Sequence, residues 1–342
     1  MITSKRKFGI EIEFSAPTKA SLLKIHSKIN VTRDGSLDNL PNAGEYVSDI
    51  LQGDKGYKVL ESVCDVLKKN GAEASATETS IHVHLDGLRG DNQLRSSRMR
   101  PTNLDFNRTI VYGISRALVN VTTEEEIMRG LRNNSHPLFG DSYQPSHFDS
   151  IYYYSKAQLS RAPILNYTYY WLERNDRFKW LQNVFYFYTL FSDVMEDIVS
   201  NSRKFGNMYC IPLGVSYDLP TIAAAKNEKE LKNVWYKGRS PNGHYDDSRY
   251  HNVNLHCFWD RHGTVEIRSH GGTIDAGKIA LWVMLHQAIV DKLEDTDIET
   301  LIAISKDKDA NLYREFLNFI EDGVLQAYVK RLLGYYSNIN IK

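Results

Sequence analysis

The chain has 342 residues, enough for a well-buried core, and its 42 basic residues balance 42 acidic ones. With no net charge, neither nucleic acid nor an anionic membrane is favoured, so any polyanion contact has to come from a local patch. The three cysteines, Cys64, Cys210 and Cys257, lie far apart without CxxC spacing, which indicates neither a disulfide framework nor a Cys-rich zinc site and makes a reducing cytoplasm the expected compartment.

In chain order, residues 7–15 read as a strand, reached directly from Met1 without the apolar core of a signal peptide. Pro17-Thr18 opens a short amphipathic helix through Leu22, Leu23 and Ile25. A second strand ends in Thr32-Arg33-Asp34-Gly35-Ser36, a turn signal, and Gly44–Leu51 is a third strand. From Tyr57 to Lys69 a helical stripe of Val59, Leu60, Val63, Val66 and Leu67 closes at Asn70-Gly71. The strand Ile81-His82-Val83-His84-Leu85 follows. This order fits an antiparallel or mixed sheet with helices on one face.

Beyond Gly87 the sequence turns basic, with Arg89, Arg95, Arg98 and Arg100. A helix is expected over 104–119 and a capped helix start at Thr122, and 133–150 reads as a long loop of the kind that serves as a lid. The 21 tyrosines and 13 phenylalanines cluster mid-chain, and core packing is the expected cause. Arg177–Ser202 reads as one central core helix, apolar over a wide arc. Asn252–Phe258 and 264–269 form a hairpin through Asp260-Arg261-His262-Gly263, and helices follow from Asp275 to Leu293 and on through Leu333. No apolar run is long enough to span a bilayer.

One grammar recurs on three strands: Glu11 with Glu13, His82 with His84, and Glu266 with Arg268 each stand two residues apart, so each pair shares a face. A solvated strand face is usually rich in Lys, Thr and Ser as well, whereas these positions hold only Glu, His and Arg. Carboxylates with a minority of imidazole suit Mg²⁺ or Mn²⁺, and a guanidinium beside them suits a bidentate phosphate contact.

Together with Asp34-Gly35-Ser36 and Gly44-Glu45-Tyr46-Val47-Ser48, these ExE, HxH and ExR motifs resemble the amidoligase family, carboxylate-amine ligases similar to glutamine synthetase and γ-glutamylcysteine ligase. The resemblance runs from residue 8 to about residue 290. It implies an α+β fold: a glutamine-synthetase-like curved, mainly antiparallel sheet with helices packed on one face and an open catalytic face. It also implies ATP and Mg²⁺, with Mn²⁺ as a substitute, and an acyl-phosphate route to an amide or peptide-like bond between carboxylate and amine substrates, small molecules or peptides. By position, Glu11, Glu13, Glu45, His82 and Glu266 would be metal ligands. His84 would face the nucleotide or complete a ligand set, Arg203 and Asn254 would lie near the nucleotide, and Arg268 would grip the γ-phosphate. Arg249 would lie near nucleotide or acyl phosphate, and Asp34 and Ser36 on the substrate side, with Asp34 or Glu45 able to take the ammonium proton. The implied organisation is a catalytic domain over 1–295, carrying a helical, aromatic-rich insert at about 104–202, and a C-terminal helical extension over 296–342.

Two other classes compete. An HxH strand also begins many zinc sites, so a metal-dependent hydrolase drawing on His256 or His270 is one alternative. A non-catalytic binding protein of the same fold is the other.

Overall fold

Alternation in β1 (Phe8–Ser15) sends Phe8, Ile10, Ile12 and Phe14 to one side, each at most 2 % exposed, and Glu11 and Glu13 to the other. The structure is a computed structural model, and it describes residues 4, 6–87, 177–204, 206–260 and 263–341. The Arg-rich stretch at 89–100, the helices expected at 104–119 and from Thr122, the 133–150 loop and most of the expected insert lie outside the described residues.

Around β1 the sheet continues with β2 (Val31–Thr32), β3 (Ala43–Val47), β4 (Ser80–Asp86), β5 (Val253–Asn254) and β6 (Thr264–Gly271). The six strands run in the order β2-β3-β1-β4-β6-β5, every neighbouring pair antiparallel. The described fold is therefore α+β, an open antiparallel sheet with helices.

Helices cover the apolar face. Gly53–Lys69 buries Tyr57, Leu60, Val63 and Leu67, with the Tyr57 ring stacked on Phe8 at 5.2 Å. Ala276–Lys292 packs beside it, and Tyr57 Oη donates to Gln287 Oε1 at 2.9 Å across the two helices. A third helix, over 177–190, buries Trp180, Val184, Phe185, Phe187 and Tyr188, and Trp180 Nε1 donates to the Val290 carbonyl at 2.8 Å. Ile298–Lys306, Leu312–Phe319 and Gly323–Ser337 follow, each opened by an Asp or Asn whose side chain accepts first-turn N–H groups. No helix among the described residues is long and apolar enough to cross a membrane.

Two expected elements are divided in the structure. The helix expected over Arg177–Ser202 stops at 190 and resumes as Ser192–Asp197 and a 3₁₀ turn, Asn201–Arg203. Thr189 Oγ1 donates back to the Phe185 carbonyl, a contact that bends helices, and the break leaves Ser192 Oγ to accept the Gly214 N–H at 3.0 Å. The strand expected over Asn252–Phe258 is only Val253–Asn254. There Asn254 Oδ1 accepts the His256 N–H at 2.8 Å, and the short helix His256–Asp260 begins.

Candidate active site

Register, more than sequence distance, assembles the polar face. Residues opposite one another in a ladder share a face, so Glu13 meets Glu45, Glu11 meets His82, and His84 meets Glu266, which in turn meets Asn254. The three ionisable pairs expected on one face thus stand on three adjacent strands, β1, β4 and β6.

A β-bulge completes the arrangement. Val83 pairs with Ile267 but Ile81 pairs with His270, so Arg268 and Ser269 together oppose the single residue His82. Arg268 stays with Glu266, to which its Nη1 donates at 2.5 Å. Two residues after Arg268, the added position turns His270 to the helix side, 5.0 Å from the Trp282 ring. Just after β6, Gly272 is required by close approach, because a Cβ there would fall on the Thr79 side chain and 2.8 Å from the Ser75 carbonyl oxygen.

Two histidines join the acids. His82 Nδ1 lies 2.8 Å from Glu11 Oε2 and 3.6 Å from Glu266 Oε1, while its Nε2 meets Ser80 Oγ at 3.0 Å. His84 Nε2 lies 3.2 Å from Glu11 Oε1, and its Nδ1 meets Thr264 Oγ1 at 3.2 Å. Glu13 Oε2 accepts the Ser80 N–H at 2.7 Å, and Glu45 Oε2 accepts from Thr32 Oγ1 at 3.2 Å.

Burial makes the charges interact strongly. It raises the Glu45 carboxyl, and Glu11, Asp34 and Glu13 add to that, pushing it up to about 8. Burial would raise Glu266 too, but Arg268, His84 and His82 hold it at about 2. Glu11 is likewise held well below the usual carboxylate range, because His84 and His82 outweigh its burial. Glu13, Asp34 and Glu45 thus crowd one end of the site, Glu266 stands with Arg268 at the other, and Glu11 joins them through both histidines.

The donor atoms of Glu11, Glu45 and His82 lie within 4.8 Å of one another, and so do those of Glu13, Asp34 and Glu45. Two adjoining sets share Glu45, and both are dominated by carboxylate oxygen. That chemistry fits Mg²⁺ or Mn²⁺, and a divalent ion would relieve the repulsion that raises Glu45.

Arg203 and Arg268 border this face, and Arg249 lies on the turn Asp247–Tyr250, which touches β5. Arg203, 9 % exposed, donates through Nη2 to the Thr79 carbonyl, and its burial lowers its pKa while Glu13 acts in the opposite direction. Arg249 stands over the rings of Tyr245 and Tyr250, at 5.1 and 4.9 Å. Each of Arg203, Arg249 and Arg268 has a buried Nε without a hydrogen-bond partner. Asn254 donates through Nδ2 to Glu266 Oε2 at 2.6 Å, so it fixes that carboxylate. Asp34 caps the 3₁₀ turn Gly35–Leu37, accepting the Ser36 N–H at 2.8 Å beside Glu45.

Residues 175–290 match the amidoligase family, described as "Putative amidoligase enzyme". The matched amidoligase segment contains Arg203, Arg249, Asn254, Glu266 and Arg268, while Glu11, Glu13, Asp34, Glu45, His82 and His84 precede it and reach the same site through β1, β3 and β4. The match supports the resemblance carried by the motifs. Comparisons with curated proteins and with solved structures each gave no match.

Sequence reading missed the supporting residues of the site, Thr32, Ser80, Thr264 and above all Cys257, whose Sγ lies 3.1 Å from Glu266 Oε2. Their only signal is adjacency across strands. Ser80 and Thr264 were accessible in principle, since they continue the periods of His82 with His84 and of Glu266 with Arg268. The histidines considered for a hydrolase are placed elsewhere: His256 Nδ1 meets Tyr236 Oη at 2.6 Å, and His270 faces Trp282.

Proposed function

We propose that the protein is an ATP- and Mg²⁺-dependent carboxylate-amine ligase of glutamine-synthetase-like fold, making an amide or peptide-like bond through an acyl phosphate. The observation that carries this reading is the polar face of β3, β1, β4 and β6. There a carboxylate-rich, cation-compatible cluster adjoins buried arginine N–H groups without partners, in a chain with an amidoligase segment.

Carboxylates are poor electrophiles, and the reaction overcomes this in two displacements. A carboxylate oxygen of the substrate attacks the γ-phosphorus of ATP, the O–P bond forms and ADP leaves. The amine nitrogen then attacks the acyl carbon, the C–N bond forms and phosphate leaves. Negative charge accumulates on the phosphoryl oxygens in the first step, and Arg268, with Arg203 and Arg249, supplies N–H donors for them. A divalent cation held by Glu11, Glu45, His82 and Glu266, with Glu13 and Asp34 on the adjoining set, would supply further charge neutralisation there. His84 and Asn254 border the nucleotide side, with Asn254 holding Glu266. Asp34 or Glu45, as a carboxylate, would take the proton of the attacking ammonium. The free thiols Cys64, Cys210 and Cys257 suit a cytoplasmic setting.

Thermal unfolding with ATP, with Mg²⁺ and with both, followed by ADP release in the presence of carboxylate and amine pools, tests the reading. A stabilisation that needs both ligands, and ADP release that needs both substrates, is the expected result. No nucleotide effect would overturn it.

A further inference from the structure

Beyond the carboxylate-rich sets, one group of donors has a different chemistry. The donor atoms of His84, Cys257 and Glu266 lie within 4.8 Å of one another, although they come from β4, the helix His256–Asp260 and β6. We propose that these three residues form a divalent-cation site that takes a thiophilic ion such as Zn²⁺ in preference to Mg²⁺.

Donor type sets the preference. A thiolate is a good ligand for Zn²⁺ and a poor one for Mg²⁺, which demands oxygen and keeps much of its water. Zinc bonds of about 2.0–2.3 Å put tetrahedral donors roughly 3.2–3.8 Å apart, and Cys257 Sγ already stands 3.1 Å from Glu266 Oε2, with the His84 donor within 4.8 Å of the other two. Closing the set takes an adjustment of about an ångström at His84.

The neighbours are arranged as supports of a metal site. His84 Nδ1 is engaged by Thr264 Oγ1 at 3.2 Å, which orients the ring and leaves Nε2 toward the donors, the pattern that holds a ligating histidine. Arg268 occupies Glu266 Oε1, so Oε2 is the oxygen available to the ion. Asn254 Nδ2 also donates to Oε2, at 2.6 Å, and a carboxylate oxygen has a second lone pair, so that bond persists when a cation binds. Glu11 Oε1, 3.2 Å from His84 Nε2, is within reach as a fourth donor. On binding, the Cys257 S–H and His84 Nε2–H bonds break, the sulfur–metal and nitrogen–metal bonds form, and both protons pass to solvent.

This inference stands without the ligase reading. If both hold, zinc occupies Glu266 and His84 and therefore inhibits the Mg²⁺-dependent reaction.

The test uses the purified full chain and Co²⁺ alone, without nucleotide. Thiolate ligation gives a sulfur-to-cobalt charge-transfer band, which Zn²⁺ should abolish by displacement and excess Mg²⁺ should not. In Cys257→Ser the band should vanish and Zn²⁺ affinity should fall by at least about tenfold, since loss of even a supporting residue costs about 10–100-fold. Alkylation of the wild-type chain, mapped by peptide mass, gives a readout independent of that variant: Zn²⁺ should protect Cys257. Absence of the band, its survival in Cys257→Ser, or alkylation of Cys257 unaffected by Zn²⁺ would overturn the proposal. Failure of the ligase reading would instead appear as a missing nucleotide effect, which none of these measurements involves.

Discussion

His84 and His286 are both enclosed by protein, and their environments push them in opposite directions. Burial alone lowers an imidazole, and for His286, wholly buried between the Tyr188 hydroxyl and the Trp282 ring, it does so unopposed, to about 3. For His84 the same burial is overcome by Glu11, with Glu266 adding to it, and the ring is pushed up to about 9. The difference lies in the two sides of the sheet. Around Trp282 the helix side holds its imidazoles neutral and packs them, whereas the open side gathers charges that compensate one another only in part. Incomplete compensation is what a site for ions and phosphates needs.

The largest effect that sharpens this contrast is structural. Trp282→Ala, on the neutral side, removes a fully buried indole between His270 and His286 and should cost about 3–5 kcal/mol in denaturant unfolding. On the charged side, Glu266→Gln keeps the shape of the side chain but leaves Arg268 without its counter-charge. ADP release should then fall by about 10²–10³-fold, equivalent to about 2.7–4 kcal/mol of barrier, in a chain that still folds cooperatively. Equal losses of stability and turnover in both variants would erase the distinction between the two sides.

Acid provides the next test. His270 and His286 have folded pKa values near 4 and 3, lowered chiefly by burial. Both lie below the unfolded value of about 6.5, so the unfolded chain binds more protons once the pH drops below that value. The stability these residues permit is intact above about pH 6.5 and is lost as pH falls toward their folded values. His286→Gln, which keeps a partner for Tyr188 and cannot titrate, should lose about 2 kcal/mol less between pH 7 and pH 5 than the wild type in urea unfolding. Parallel curves for the two proteins would mean that His286 is not held neutral.

The open side was the more legible of the two in the sequence. Period-two alternation placed Glu11 with Glu13, His82 with His84 and Glu266 with Arg268 on common faces, and the antiparallel pairing of adjacent strands brought them together. Alternation cannot show a bulge. The extra residue opposite His82 turns His270 to the helix side, a position that strict period two would have given to the site. Cys257 was equally hidden, because it reaches Glu266 only through the helical turn that Asn254 starts where a longer strand was expected. Core residues were recognisable as apolar stripes, but the break near Phe191 depends on Thr189 and Ser192 meeting partners in space.

The smallest effect separates donors from the residues that hold them. Ser80 Oγ meets His82 Nε2 and so holds the ring with Nδ1 toward Glu11 and Glu266. Ser80→Ala removes that restraint without removing a carboxylate or an imidazole. The backbone N–H of residue 80 continues to donate to Glu13, so the sheet and the acid pair are undisturbed. Mg²⁺ or Mn²⁺ affinity should drop by about tenfold, as for other supporting residues of metal sites, while stability changes by about 1 kcal/mol. Manganese binding followed by electron paramagnetic resonance reads the first quantity, and urea unfolding the second. A loss of affinity as large as that of His82→Ala would make Ser80 itself a donor; no loss would mean that the Glu11 contact alone orients the ring.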